Sequence, residues 1–459
     1  MTEREFRNEM RRGVGRCVLA LDDVKARAKF KKAVLWACSR NLGFDPQCEG
    51  TRAWYLHQMI RRYGDVAPFL SVVEKALFRS WGKGDWLFEQ SCELLALLAV
   101  RDGNRRAAEA IERCWTEMVD GLSRKKLSVR ALSGVRQGHL DCLCAAVLNC
   151  TDGERRVDRA KALVGDIGRI TRAHARWTRF DLEDVQETLF SFCGKRRLSR
   201  LIAREWILEK EESGQPTDAR LEVSARTVYD RVREGGSIGP GGVTHRRFLR
   251  RLLTRENRRQ EAVVLASLCC RSHSRRVRAE LYKLFTFPEA AELLNVDCVL
   301  HDAQSSDETL SYGALLVLEE ICHPKVRELA LELLAGKKDL LSAIPMLARN
   351  YCREDDERLL AALREIEPFS DGDRHGVYFS LMNLFFGKRP CPVRRARDLL
   401  AYLFEVIPCA ECRLHCLWAM ARHRMLTKAI LEECRYDCNM DVREYVSRVK
   451  SSGKSETAE

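Results

Sequence analysis

The dipeptide Val-Arg recurs at one place in a helical phrase: Val277-Arg278, Val326-Arg327, Val393-Arg394 and Val442-Arg443. Each copy opens a run of apolar residues at helical spacing, and successive copies stand 49, 67 and 49 residues apart. A unit of that length holds a pair of helices, and one pair cannot bury its own apolar face. The repeat therefore predicts stacked helix pairs that share a continuous core. Leu, Ala, Arg and Glu, all good helix formers, dominate the chain. Only 11 prolines and 27 glycines occur in 459 residues. Alternating runs rich in Val, Ile and Thr, the mark of strands, are almost absent. The predicted class is all-α.

Punctuation along the chain supports the same reading. Thr51 to Tyr63 reads as a helix ending at Gly64-Asp65, and Val66 to Trp81 as the next. Asp85 is placed to cap a helix from Trp86 to Arg101, because its carboxylate can accept free backbone N–H groups. Ala107, Ala108, Ile111, Cys114 and Trp115 form one apolar stripe. Ser311 to Cys322 and a second helix opening at Pro324 and stopped by Gly336 make the clearest pair. The polar stretch 209–218 and Gly235 to Gly242 read as connections. The expected organisation is an N-terminal helical-repeat region over 1–234, a Gly-rich linker at 235–242, C-terminal repeats over 243–450 and a disordered tail at 451–459.

The C-terminal phrases resemble HEAT repeats. In Pro324-x-Val326-Arg327-x-x-Ala330 the spacing of that family's second helix is complete. Pro390 to Arg394 carries its Ala one position early, at Ala396. Asp437 with Val442-Arg443 has Val446 where Ala is usual, and Arg276-Val277-Arg278 lacks both Pro and Ala. The resemblance covers about residues 262–450 and is looser before that. It implies a right-handed α-solenoid of antiparallel HEAT-like helix pairs. It also implies that each Val is core and that each Arg pairs with an acidic group in an adjoining turn or repeat.

Charge and cysteine usage narrow the partners. Lys and Arg outnumber Asp and Glu by 79 to 66, a net +13. Eleven arginines fall between Arg246 and Arg278 against only Glu256 and Glu261. Arg247, Arg251, Arg255 and Arg258 share one helical face there, and Arg271 and Arg275 extend it. Arginine forks bind two oxygens of a phosphate or carboxylate at once, so this belt is the expected contact face. Cys409, Cys412, His415 and Cys416 have a spacing that suggests zinc. After Pro408, a helix starter, the three thiols also fall at i, i+3 and i+7, which is a core stripe; that reading predicts no metal and no cofactor. Gly235 to Gly239 fits the G-x-S-x-G pattern but lacks the strand and helix of a nucleophile elbow. Met1 to Met10 has no apolar signal core, and no apolar run spans a bilayer. The expected location is cytoplasmic, with the 20 cysteines mostly reduced.

No acid pair, triad or paired-His phrase stands out, and no small-molecule substrate is identified. The sequence thus predicts a non-enzymatic scaffold that offers a concave repeat surface to a protein partner. The alternative is a nucleic-acid-binding HEAT-like protein, including the base-excision glycosylase type known on that fold.

Overall fold

Short polar side chains set the helix starts. The Thr2 hydroxyl accepts from the Glu5 N–H while the Glu5 carboxylate accepts from the Thr2 N–H, a reciprocal cap. Asp23, Ser274, Asn295, Asp307 and Thr427 each accept a backbone N–H in the first turn of the helix that follows. A computed structural model of the chain describes residues 1–44, 49–81, 86–123, 140–173, 183–206, 224–235, 259–386 and 397–451. Among the described residues the regular structure is helical throughout, with 25 α-helices and no strand.

Two compact units divide the chain. Unit 1 holds Met1–Gln215, Pro408–Leu414 and Leu426–Glu459, and unit 2 holds Pro216–Ile407 and His415–Met425. Both chain ends therefore belong to unit 1, and its last helices are not grouped with the rest of the 243–450 region. Unit 1 begins with α1 (Glu3–Arg12), α2 (Arg16–Ala20), α3 (Val24–Cys38), α4 (Ala53–Arg61), α5 (Ala67–Ser80) and α6 (Trp86–Arg101). It continues with α7 (Arg105–Ser123), α8 (Leu140–Asn149), α9 (Arg156–Ala173), α10 (Glu183–Cys193) and α11 (Lys195–Glu205). From α3 onward each helix packs on the next or the next but one, giving one row α4·α6·α8·α10 and another α3·α5·α7·α9·α11. In each row, helices two apart in the chain are neighbours. The stripe Ala107, Ile111, Cys114 and Trp115 is buried, with Ala108 at its margin.

Unit 2 comprises α12 (Ala225–Arg233), α13 (Arg259–Arg271), α14 (Arg275–Tyr282), α15 (Pro288–Ala291), α16 (Val296–Ala303) and α17 (Glu308–Leu318). Then come α18 (Pro324–Ala335), α19 (Leu340–Arg349), α20 (Asp356–Glu365), α21 (Asp371–Phe386) and α22 (Arg397–Val406). The last three helices are α23 (Ala410–Arg422), divided at Leu414 between the units, α24 (Lys428–Cys434) and α25 (Met440–Ser451). The first turn of α23 starts two residues after Pro408. The Ala410 N–H is taken there by the Glu49 carboxylate at 2.6 Å, so the free donors at that helix end are met from outside it.

The Val-Arg phrases act as bolts. Val277, Val326 and Val442 are buried. Arg278 grips Asp302 at 2.6 and 2.8 Å, 24 residues on, and the Tyr282 hydroxyl donates to the same carboxylate at 2.7 Å. Arg327 donates to Asp355 at 2.8 Å, 28 residues on. Arg443 instead donates to the carbonyls of Asp437 and Cys438, both at 2.7 Å, and lies over the Trp54 ring at 3.8 Å. Val393-Arg394 lies outside the described residues. A further bolt has no Val: Arg413 donates to Asp437 at 2.9 and 3.1 Å, again 24 residues on, and to the Arg12 carbonyl at 3.0 Å.

Around that bolt the two ends of unit 1 close on each other. The Cys438 N–H donates to the Gly13 carbonyl at 2.8 Å, and Arg16 pairs with Glu433 at 2.9 Å. Arg52 is fully buried, donating to Glu49 at 2.8 Å and to the Arg11 carbonyl at 3.1 Å, with Cys438 Sγ against its fork. Nearest-neighbour stacking alone does not supply these contacts between residues some 400 positions apart.

One half-buried acid in unit 2 gives a pH signature. Burial lifts the Glu319 carboxyl from its ordinary 4.5 to about 8, against a hydrogen bond from Ser342 that lowers it. The folded chain thus keeps a proton between about pH 4.5 and 8 that the unfolded chain has lost, so stability falls as pH rises through that window. Glu319→Gln removes the loss. Its unfolding free energy from urea titration should match the parent's at pH 4 and exceed it at pH 8.5 by a few kcal/mol.

Candidate anion-binding face

Helix α1 buries Phe6 and Met10 and turns Glu3, Arg4, Arg7, Asn8 and Arg11 outward. Helix α3 buries Phe30, Ala33, Val34, Ala37 and Cys38, which leaves Trp36 on its flank. Phe6 stacks on Phe30 with centroids 4.1 Å apart and nearly parallel rings. That contact sets the two helices side by side, so the outward face of α1 hangs over Trp36. Three guanidinium groups meet at the one indole: Arg7 at 5.3 Å, Arg11 at 5.6 Å and Arg40 at 5.4 Å from the ring centre. Beside them is an open depression of about 390 Å³ lined by Glu3, Arg4, Arg7, Asn8, Arg11 and Trp36.

Magnitudes show why this cluster favours an anion. Each exposed cation–π contact contributes about 0.5–1 kcal/mol. Repulsion between like charges within about 10 Å in water is roughly half a kcal/mol per pair. The two nearly cancel, and the crowded positive charge is relieved by a bound carboxylate or phosphate. Arg7 is paired with Glu3 at 2.6 Å, whereas Arg11 and Arg40 have no acidic partner among the described residues. Residues 1–40 carry eleven Lys or Arg against five Asp or Glu, so the surroundings add to the same field.

The belt expected from the sequence is only partly described. Arg247, Arg251, Arg255 and Arg258 lie outside the described residues. Arg271 and Arg275 are exposed at the end of α13 and the start of α14. Arg276 is tied to the carbonyls of Val232 and Arg233 at 3.3 and 3.1 Å, and Arg278 is turned inward on Asp302. Cys409, Cys412 and Cys416 are buried, and Cys416 Sγ lies 3.3 Å from Met382 Sδ. Most of the G-x-S-x-G segment lies outside the described residues.

No family model and no curated protein matches the chain.

A His–acid pair is present but is built as a brace. His57 is buried on α4 and hydrogen-bonds Asp102 at 2.9 Å, fixing the turn after α6. Burial holds the His57 pKa below 6.5, although Asp102 acts to raise it. The Trp36 face was not singled out in the sequence. The signal was the Lys- and Arg-rich N-terminal segment, but which arginines reach an aromatic ring depends on how α1 and α3 pack. Among the described residues no helix is long and apolar enough to cross a membrane.

Proposed function

We propose that this chain is a non-catalytic interaction scaffold, a right-handed α-solenoid of HEAT-like helix pairs, that holds an acidic protein partner. The two rows in unit 1, where helices pack on the next or the next but one, support the architecture. The observation that carries the function is the convergence of Arg7, Arg11 and Arg40 on Trp36 at an exposed depression. A carboxylate-rich segment fits it, because each fork can take two carboxylate oxygens and the indole offers apolar contact beside them. The Arg271 and Arg275 surface supplies a second basic region in unit 2.

A second reading, nucleic-acid binding, is favoured by the net charge of +13, since phosphate neutralisation needs no sequence-specific groove. One experiment separates the two. An acidic peptide and a single-stranded oligonucleotide of equal charge compete for the chain in a fluorescence-anisotropy titration. Preference for the peptide supports the scaffold reading, and preference for the oligonucleotide supports the second. The triple variant Arg7→Gln, Arg11→Gln, Arg40→Gln should weaken the preferred ligand by roughly 10–100-fold, since three exposed ion pairs contribute about 0.5–1 kcal/mol each. Unchanged affinity in a variant with parental circular dichroism would remove this face from the account.

A further inference from the structure

Two helices of unit 2 carry aromatic rings that their packing leaves outside. Helix α21 buries Val377, Tyr378, Leu381 and Phe385. Phe379 and Phe386, seven residues apart and so on one face, are 53% and 37% exposed. Helix α23 buries Cys416, Leu417 and Met420. It leaves His415 half-exposed and Trp418 and Arg422 exposed, at steps of three and four along one face. The buried sulfurs of Met382 and Cys416 lie 3.3 Å apart and hold the two helices together. The outer rings then meet in a chain. Phe386 and His415 have centroids 6.0 Å apart, and His415 and Trp418 5.1 Å apart. The Arg422 guanidinium lies over Phe386 at 5.6 Å.

We propose that Phe386, His415, Trp418 and Arg422, continued by Phe379, form a stacking platform for single-stranded nucleic acid. This deepens the nucleic-acid reading by naming a site for it, and it leaves the acidic-peptide reading of the Trp36 face untouched. Ring geometry is the first support. The neighbouring rings are tilted by 56° and 50°, so neither ring of a pair covers the other's face. Open faces of this kind take unpaired bases, whereas a duplex hides its bases from them.

Charge is the second support. Arg422 has no acidic partner among the described residues and is held only by a ring. A wholly apolar cover would strip its water and leave the charge unpaired, which is costly. A nucleic-acid strand supplies a base for the ring and a phosphate for the fork together. From Asp371 to Met425 the sequence carries nine Lys or Arg against five Asp or Glu, so the surroundings favour an anionic chain. Gly376 is a third sign. It is exposed on the same face as Phe379, and an added Cβ there would meet nothing within 4 Å. Alanine would fit and would hold the helix better. Packing therefore does not account for this glycine, which leaves bare helix backbone beside the Phe379 ring.

The test compares a labelled oligothymidine decamer with an abasic decamer of equal length and charge, bound to the full chain in a fluorescence-anisotropy titration. The parent should bind the oligothymidine roughly tenfold more tightly or better, because only that strand can stack. Phe386→Ala with Trp418→Ala should weaken oligothymidine binding roughly 10–100-fold and leave abasic binding unchanged. Trp418→Phe keeps a ring and should retain most of the affinity. Tyr312→Ala, which removes an exposed ring elsewhere in unit 2, should match the parent. Circular dichroism checks that each variant keeps the parental fold. Equal parental affinity for the two decamers overturns the platform, as does a base preference that survives in the double alanine variant. Failure of the parent to bind either decamer removes the nucleic-acid reading with it. A double variant that keeps the oligothymidine but loses the acidic peptide assigns this face to a protein instead.

Discussion

Replacing Asp437 by alanine is expected to destabilise unit 1 by about 3–5 kcal/mol. Arg413 is almost fully enclosed, and its charge is met by the Asp437 carboxylate. Removing that carboxylate leaves a guanidinium in a low-dielectric interior, which costs far more than the pair contributes over an apolar substitute. Asp437 also accepts the Asn439 N–H at 2.9 Å, so the turn before α25 loosens as well. Two comparisons make the expectation specific. Asp355→Ala should cost less, because Arg327 retains solvent access and an alternative partner in Glu354. The double change Arg413→Leu with Asp437→Leu should recover most of the loss, since it removes both charges together. Urea unfolding followed by circular dichroism and tryptophan fluorescence measures all three. A loss below about 1 kcal/mol for Asp437→Ala, or no recovery in the double variant, would show that the bolt is not enclosed as described.

Gly15→Ala is expected to be comparably damaging for a steric reason. A Cβ at Gly15 would stand 1.8 Å from the Glu433 carbonyl oxygen and 2.9 Å from its carbon. Both are backbone atoms, so no rotamer change relieves the clash; α1–α2 and α24 must separate. The expected cost is about 3 kcal/mol, at the upper end for overpacking. Gly13 adds a second constraint, since its φ of 74° lies in the left-handed region and a Cβ there would meet Cys438 Sγ at 2.2 Å. Gly153→Ala is the control, because nothing lies within 4 Å of its added carbon. Hydrogen exchange at the Cys438 amide, which donates to the Gly13 carbonyl, reports the closure directly. Rapid exchange in Gly15→Ala with protection kept in Gly153→Ala is the expected pattern. Equal protection in both would mean that the chain ends do not seal unit 1.

Local signals in this sequence were legible because helices are local. Trp86–Arg101 and Pro324–Ala335 with Gly336 at its end match the bounds read from the sequence, while Asp85, the expected cap of the first, lies outside the described residues. Thr51–Tyr63 and Ser311–Cys322 shift by a few residues, as helix ends do. The Val-Arg phrase marks an inward valine and an arginine reaching an acid 24 or 28 residues on. The same bolt at Arg413 carries no Val-Arg mark, because Cys412 stands where the phrase has Val, although a buried thiol packs as a small apolar group. Arg443 departs from the phrase differently: it meets carbonyls and an indole rather than a carboxylate. Contacts such as Gly13 with Cys438 have no periodic trace, since hundreds of residues separate the partners. The Trp36 face depends on the Phe6–Phe30 stack, a packing fact that neither residue advertises alone.

The claim that the Trp36 face holds an anionic partner is tested most directly by its salt dependence. The parent chain and the Arg7→Gln, Arg11→Gln, Arg40→Gln variant are titrated with the same acidic peptide from 50 to 300 mM salt. The parent's affinity should fall steeply as salt rises, and the variant should bind more weakly with a clearly shallower decline. Parallel curves for the two proteins, or a parent affinity indifferent to salt, would contradict the account.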